Sequence, residues 1–250
     1  MRLGPKILPV LLLSFATVLF SQQVREQPPL YSGPSTFVPG VFVTPIAGVP
    51  FSATVMIESK QLLADGSVES KVTQTNIARD SRGRIRNEQH MFVPAGTQGT
   101  PPLISVHVFD PATRISYIFN PATMLAREQH IPPPRTQAQF TTNANMQDLG
   151  FTTLDGLQAK GTRATREVPA PVSGTGKAVT VTDEFWYSEE LHMNLMEEHT
   201  DVRGGKQSFA ILSIKRDEPA PSLFEVPTGY RIVDMTPPQN APIANQGGGH

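Results

Sequence analysis

The sequence predicts an all-β, mainly antiparallel chain whose strands form a curved meandering sheet or an open barrel. Three observations carry this. Apolar and polar residues alternate with a period of two through much of the stretch from about residue 50 to 234, the period at which successive side chains face opposite sides of a strand. Turn chemistry (Asp-Gly, Asp-Pro, Asn-Pro, Gly-Gly) recurs at hairpin spacing. Strand follows strand without the intervening helices that a doubly wound parallel sheet requires. A chain of 250 residues is long enough for one large sandwich or barrel with a real core.

The elements follow in order. Phe51–Leu63 is rich in β-branched and apolar residues, and Asp65-Gly66 marks a turn after it. Val68–Arg79 alternates Val68, Ser70, Val72 and Gln74 against Glu69, Lys71, Thr73 and Thr75. Asp80–Gly83 is a second turn, Arg84–Val93 a third strand, and Pro94–Pro102 a loop. Asp110-Pro-Ala-Thr113 and Asn120-Pro-Ala-Thr123 are turns with a mechanism: the Asp or Asn side chain bonds the backbone two residues on, and Pro sets φ. They divide Ile104–Phe109, Arg114–Phe119 and Met124–His130 into a three-strand meander. Arg135–Asp148 is polar and reads as a loop, a lid or a short helix. Phe151–Leu154 and Leu157–Arg166 flank the hairpin signal Asp155-Gly156. After a loop at Pro169–Lys177 come Ala178–Tyr187, Leu191–Thr200 and Lys206–Lys215, then a short Tyr230–Val233. The count is about eleven strands. In Phe185–His199, Leu191, Leu195 and Met196 also fall at helical spacing; strand-turn-strand is preferred because alternating segments lie on both sides.

The ends differ from the middle. Met1–Ser21 reads as a signal peptide: Arg2 and Lys6 form a positive start, and Ile7–Phe20 is an apolar run short of the ~20 residues of a membrane span. Leu19 and Ser21 offer a cleavage pair. The mature protein is then expected to be exported, periplasmic or extracellular, without a membrane span. Residues 22–50 carry too many Pro for a long helix or a central strand, and read as an extended arm with Tyr31, Phe37, Val41, Phe42 and Val43 as apolar anchors. The β domain is expected over 51–235. Residues 236–250, ending in Gly247–Gly249, are expected to be disordered.

Composition removes several functions. Lys+Arg number 21 against 22 Asp+Glu, a formal charge of −1 that gives no electrostatic basis for nucleic-acid or polybasic membrane binding. With 0 Cys there are no disulfides, thiol nucleophiles or Cys-type zinc sites. No G-x-S-x-G, phosphate-loop or H-E-x-x-H pattern occurs. The expectation is therefore no enzyme, no catalytic, cofactor-binding or metal residue, and no cofactor.

Weaker constellations remain. Asp183–Asp201 holds seven acids (183, 184, 189, 190, 197, 198, 201) with His192 and His199, a composition that could bind a divalent cation. On a regular strand these two His face opposite ways, which argues against a joint site. Arg79, Arg82, Arg84 and Arg86 surround one turn; they could bind an anion, pair with the acidic hairpin, or simply be solvated. Phe185-Trp186-Tyr187 is the densest aromatic spot, read as core packing with a polar tip rather than an exposed platform. Met193 and Met196 read as core, with a cavity lining as the other option. His107, between Val106 and Val108, reads as a hydrogen-bonded strand residue.

The runs PFSATV (50–55), ADG (64–66), NIARDSRGRIRNEQ (76–89), DPAT (110–113) with Tyr117, NPAT (120–123), DLGFTTLDGLQAKGTR (148–163), EFWYSEEL (184–191) and PSLFEVPTGY (221–230) resemble a group of secreted proteins of acidobacterial genomes over about residues 50–234. That resemblance implies strand-turn-strand at 184–200. More loosely, the signal, the long meandering strands and the closing F-x-V-P-x-G-Y (Phe224–Tyr230) resemble the half-barrel proteins related to outer-membrane lipoprotein carriers. This implies a strongly curved antiparallel sheet or open half-barrel with few short helices, its concave face holding an apolar cavity. No functional residue carries over. The function expected is an exported non-enzymatic binding protein. Its concave face would hold a lipid, another apolar ligand or an envelope protein segment. The alternative is a protein–protein module in envelope sensing or assembly that offers a strand edge.

Overall fold

The computed structural model describes residues 41–63, 65–133 and 145–236. The signal at 1–21, the arm as far as residue 40, residues 134–144 and the tail from 237 lie outside the described residues, as do Tyr31 and Phe37. The strands are β1 (Phe51–Leu62), β2 (Val68–Arg79), β3 (Ile85–His90), β4 (Val93–Pro94), β5 (Leu103–Asp110), β6 (Ile115–Asn120), β7 (Leu125–His130), β8 (Asn145–Leu154), β9 (Leu157–Val168), β10 (Val179–Ser188), β11 (Met193–Asp201), β12 (Gly205–Lys215) and β13 (Arg231–Asp234). One helical turn, α1 (Ala170–Ser173), and a 3-10 turn at Pro221–Phe224 are the helical elements among the described residues. Residues 185–199 are two strands and a turn, as the alternation on either side predicts.

The turns form where their side chains dictate. Asp110 Oδ1 accepts from Ala112 N at 2.8 Å and Asn120 Oδ1 from Ala122 N at 2.8 Å. The residues that close these turns, Arg114 and Met124, take φ of 58° and 51°. The β10–β11 turn repeats this design: Ser188 Oγ accepts from Leu191 N at 3.3 Å, and His192 takes φ 52°. Asp155-Gly156 has φ 47° and 78°, the paired positive values of a two-residue hairpin turn.

All strands join one open sheet in the order β13-β7-β6-β5-β3-β2-β1-β12-β11-β10-β9-β8, with β4 beside β2. Every pairing is antiparallel except β13 with β7. Sequence neighbours pair nearly throughout; the long-range pairings are β13 with β7 and β1 with β12, running from Ser52↔Lys215 to Lys60↔Lys206. From β7 to β8 strand direction alternates along this order. The connections at 63–67, 91–102, 121–124, 169–178 and 202–204 therefore lie at one end, and those at 80–84, 111–114, 155–156 and 189–192 at the other.

In β1, Phe51, Ala53, Val55 and Ile57 are buried, while Ser52, Thr54, Met56 and Glu58 are half-exposed. The buried face continues through Ile77 of β2 and Phe209 of β12, the cross-strand partners of Ala53 and Ile57. It curls inward. Asp155, between β8 and β9, accepts from Ile214 N of β12 at 2.6 Å, although β9 and β12 are three places apart, roughly 14 Å in a flat sheet. Arg79 of β2 likewise reaches the Leu191 carbonyl in the β10–β11 turn at 2.9 Å. Register shifts at Thr54/Val55, Gln89/His90, Asp148/Gly150 and Trp186/Tyr187 supply bulges, which bend strands and increase twist. Val41 and Val43 pack inside the curl, fully buried with Phe51, Ile85, Leu157 and Leu191. Phe42 between them is 74% exposed.

Arg79 closes that end. It has no exposed surface, and its guanidinium donates to the carbonyls of Val49 (2.9 Å), Thr44 (2.7 Å) and Leu191 (2.9 Å). It lies 5.0 Å from the Phe51 ring centroid. Burial pushes its pKa down to about 10, so it stays charged at neutral pH and holds three backbone acceptors that would otherwise be buried without donors.

The opposite face has its own cover. The chain after β12 crosses it, and Phe224 packs with Ala78, Val106, Val108, Phe119 and Ala126. Tyr230 meets Phe119 edge-on at 5.3 Å. The motif Phe224–Tyr230 is thus a strap across the outer face of β2–β7.

Candidate functional site

At the end of the curl away from Arg79 the inner face is not filled. A pocket of about 370 Å3 opens there, lined by Ile57 and Ser59 of β1, Lys71, Thr73 and Thr75 of β2, Gln89 of β3, Phe92, Ile104 of β5 and Gln207 of β12. This volume lies in the range of small-molecule sites. Ile57 belongs to the main hydrophobic core, so the pocket floor continues the core. Phe92 and Ile104, each 38% exposed, form a wall that the short β4 holds in place by pairing with β2 at Lys71 and Val72.

Glu58, Glu88 and His90 also line the pocket, and like Lys71 each is bonded to a charged or polar neighbour. Thr75 Oγ1 donates to the Glu88 carbonyl. Gln89 Oε1 accepts from Ser105 at 2.9 Å. Thr73 is 3% exposed, and its buried hydroxyl has no protein partner. At the rim, Glu58 pairs with Lys60 at 2.9 Å and Glu69 with Lys71 at 3.0 Å. The hydrogen bond from Lys60 holds Glu58 below the usual carboxylate range. Burial alone would raise Glu88, but bonds from Arg86, Asn76 and His90 outweigh it and hold the carboxyl low. His90 Nδ1 lies 2.7 Å from the Pro101 carbonyl and Nε2 3.1 Å from Glu88.

The residues singled out from the sequence lie elsewhere. The arginine cluster neither forms a solvated turn nor pairs with the acidic hairpin. Arg84 Nε bonds Asp80 at 2.6 Å and lies over Phe224; Arg86 bonds Glu88 at 2.9 Å and the Leu223 carbonyl at 3.0 Å; only Arg82 is largely exposed. The reason is the strap and the face it covers: the Phe224 ring lies against Arg84, and the Leu223 carbonyl and the Phe119 ring of β6 lie against Arg86, so these guanidiniums have a partly buried surface to stack and bond on. Within the acidic stretch, His199 Nδ1 lies 2.5 Å from Asp183 Oδ1, while His192 sits in the β10–β11 turn, where its carbonyl accepts from Thr44. Glu197 is pushed up by burial, with the Asp183 charge adding to it. Among the described residues no group of three or more His, Asp or Glu is placed to hold a metal ion. Trp186 packs against Gly161, where a Cβ would come within 2.7 Å of its ring, and donates to Glu184 at 2.8 Å. Met193 is buried in the core. His107 bonds Ser116 at 2.9 Å, and burial lowers its pKa.

None of Ile57, Thr73, Phe92 or Ile104 carries a motif. Only the alternation of β1 and β2 hinted at which of them face inward, and nothing local marks where the core stops short of the strand ends.

Fold and pocket together define a class: an open antiparallel sheet curled around its core, with an apolar-floored pocket at the unfilled end. No family model matches the chain, and no curated protein does. The chain is similar to several solved structures. An uncharacterized conserved protein from Thermus thermophilus has a TM-score of 0.42 at 14% identity, covering 74% of this chain and 90% of that one. The MucA/MucB complex of Pseudomonas aeruginosa has a TM-score of 0.42 at 13% identity, covering 74% of this chain and 58% of that one. A LolA superfamily protein from Nitrosomonas europaea has a TM-score of 0.29 at 12% identity, covering 71% of this chain and 90% of that one. The half-barrel group that the sequence loosely resembles is represented among these similar structures. At these scores the likenesses carry no argument about activity. No helix of the described residues is long and apolar enough to cross a membrane.

Proposed function

We propose that this chain is an exported, non-enzymatic binding protein that holds an apolar ligand, a lipid or acyl chain, in the pocket at the open end of its curled sheet. One observation carries the reading: a pocket of about 370 Å3 continues the hydrophobic core through Ile57 and is walled by Phe92 and Ile104, while the charged groups at its rim are engaged with one another. A charged ligand would have to break those pairs; an apolar one only displaces water. At about 30 Å3 per water-sized group, the space suits about a dozen non-hydrogen atoms. The test is native mass spectrometry of protein purified from its own envelope, with N-terminal sequencing to locate the start of the mature chain. A retained lipid mass, lost on Ile57→Trp, is expected. Protein free of ligand that also takes up no fluorescent fatty-acid probe overturns the reading.

A second reading, a protein–protein module, is favoured by one feature. The edge strand β8 pairs with β9 alone among the described residues, and its residues 145–148 are exposed. Such an edge can accept a strand from a partner. Capture of an envelope protein, abolished by Thr152→Pro, with no lipid co-purifying, would favour it.

A further inference from the structure

Sixteen large apolar side chains are exposed among the described residues, and scattered singly they would need no explanation. They are not scattered. Leu62, Val68, Met91, Phe92, Val172 and Val202, between 38% and 70% exposed, all lie at the end of the sheet where the pocket opens. They come from separate connections: the β1–β2 turn, the 91–102 loop, α1 and the β11–β12 turn. The connections at the other end expose Ser81 and Arg82, Ala112 and Thr113, Asp155-Gly156, and Glu189 and Glu190, with Phe42 and Phe151 as exposed apolar side chains toward that end.

We propose that this apolar rim docks on the surface of a lipid bilayer and sinks its side chains among the headgroups, with the pocket mouth facing the membrane. Three observations choose a bilayer over a protein. First, the tips fall in four groups, Leu62 beside Val68, Met91 with Phe92, Val172, and Val202, spread along the sheet from β3 to β9, about 29 Å measured along it. A protein interface needs a contiguous, complementary core, whereas a fluid surface accepts any spacing. Second, the charges between the tips are matched: Glu58 with Lys60, Glu69 with Lys71, Glu198 with Lys206 at 2.7 Å and Asp201 with Arg203 at 2.5 Å. The rim therefore has no excess of either sign, and insertion of apolar groups, not attraction to anionic headgroups, drives binding. Third, the rim is continuous with the pocket, because Phe92 belongs to both.

The experiment is flotation of the mature protein with phosphatidylcholine vesicles, repeated with phosphatidylglycerol added and at ~0.5 M salt, where the Debye length falls to a few ångströms. Binding to the neutral vesicles is expected, little changed by anionic lipid or salt. Phe92→Ser with Val202→Ser should lower the partition coefficient at least about tenfold. Phe42→Ser with Phe151→Ser, at the other end, should leave it unchanged. Circular dichroism confirms that each variant is folded, and since all four residues are exposed, both pairs should be. No binding of the wild type to neutral vesicles overturns the proposal. So does binding that needs anionic lipid and vanishes in salt, or concentration-dependent dimerisation that the rim substitutions abolish. Vesicle binding is read whether or not the pocket holds a ligand, so this proposal and the pocket reading fail separately.

Discussion

Asp80 opens the β2–β3 turn yet is only 2% exposed, and its replacement tests how turn and strap are coupled. One carboxylate oxygen accepts from the backbone N–H groups of Arg82 at 3.0 Å and Arg84 at 2.8 Å; the other accepts from Arg84 Nε at 2.6 Å. Arg84 is itself nearly buried and lies 4.9 Å over the Phe224 ring of the strap. Asp80→Ala removes the turn acceptor, at about 1 kcal/mol per bond, and strands a buried guanidinium, at about 3–5 kcal/mol. The sum of about 5–7 kcal/mol is comparable to the whole stability of many domains. Asp80→Asn separates the parts. Its amide oxygen can keep the turn, but an NH2 group then faces Arg84 Nε donor to donor, so about 3 kcal/mol is lost. Arg84→Met beside Asp80→Asn removes that conflict, and the double variant should be more stable than the sum of the single losses by about 2 kcal/mol. Urea unfolding measures each loss; with a slope of ~2 kcal/mol/M, Asp80→Asn moves the midpoint down by about 1.5 M. Single losses that add to within about 0.5 kcal/mol would refute the coupling.

Three further outcomes are expected. Gly205→Ala should be severely destabilising, because φ is +92° and a Cβ would lie 1.9 Å from the Lys60 carbonyl oxygen of β1; Gly204→Ala, with nothing within 4 Å, should change the urea midpoint little. Glu197 is raised above 4.5 by burial, so ionising it costs stability at neutral pH. Glu197→Gln should therefore stabilise the protein at pH 7, and the gain should fade as pH drops and disappear below the ordinary carboxylate range, read from urea midpoints across pH. Arg79→Met leaves the carbonyls of Thr44, Val49 and Leu191 buried without their donors and should cost about 3 kcal/mol or more; hydrogen exchange should show the amides of 41–50 losing protection first.

Local chemistry made much of the fold legible. The turns at 110–113 and 120–123 form as read because Asp110 and Asn120 reach only two residues along their own chain. The alternation of Phe51, Ala53, Val55 and Ile57 marks a half-buried strand whatever it pairs with. The arginines around Asp80 were not legible, because what they stack on, Phe224 and Phe119, lies far along the chain or on another strand. The pocket was hidden for the same reason: Ile57 and Thr73 are neighbours across a hairpin, but Phe92, Ile104 and Gln207 reach them only through pairings that no local signal encodes.

By itself the sequence determined the strand class, most turns and the absence of thiol chemistry, since these depend on backbone sterics and composition within a few residues. Only the tertiary structure decided that β12 closes on β1, that the sheet curls around Val41 and Val43, that Arg79 seals one end, and that the other stays open under an apolar rim. Those outcomes rest on contacts between residues scores of positions apart, and their free energy exists only once the loops between them have closed.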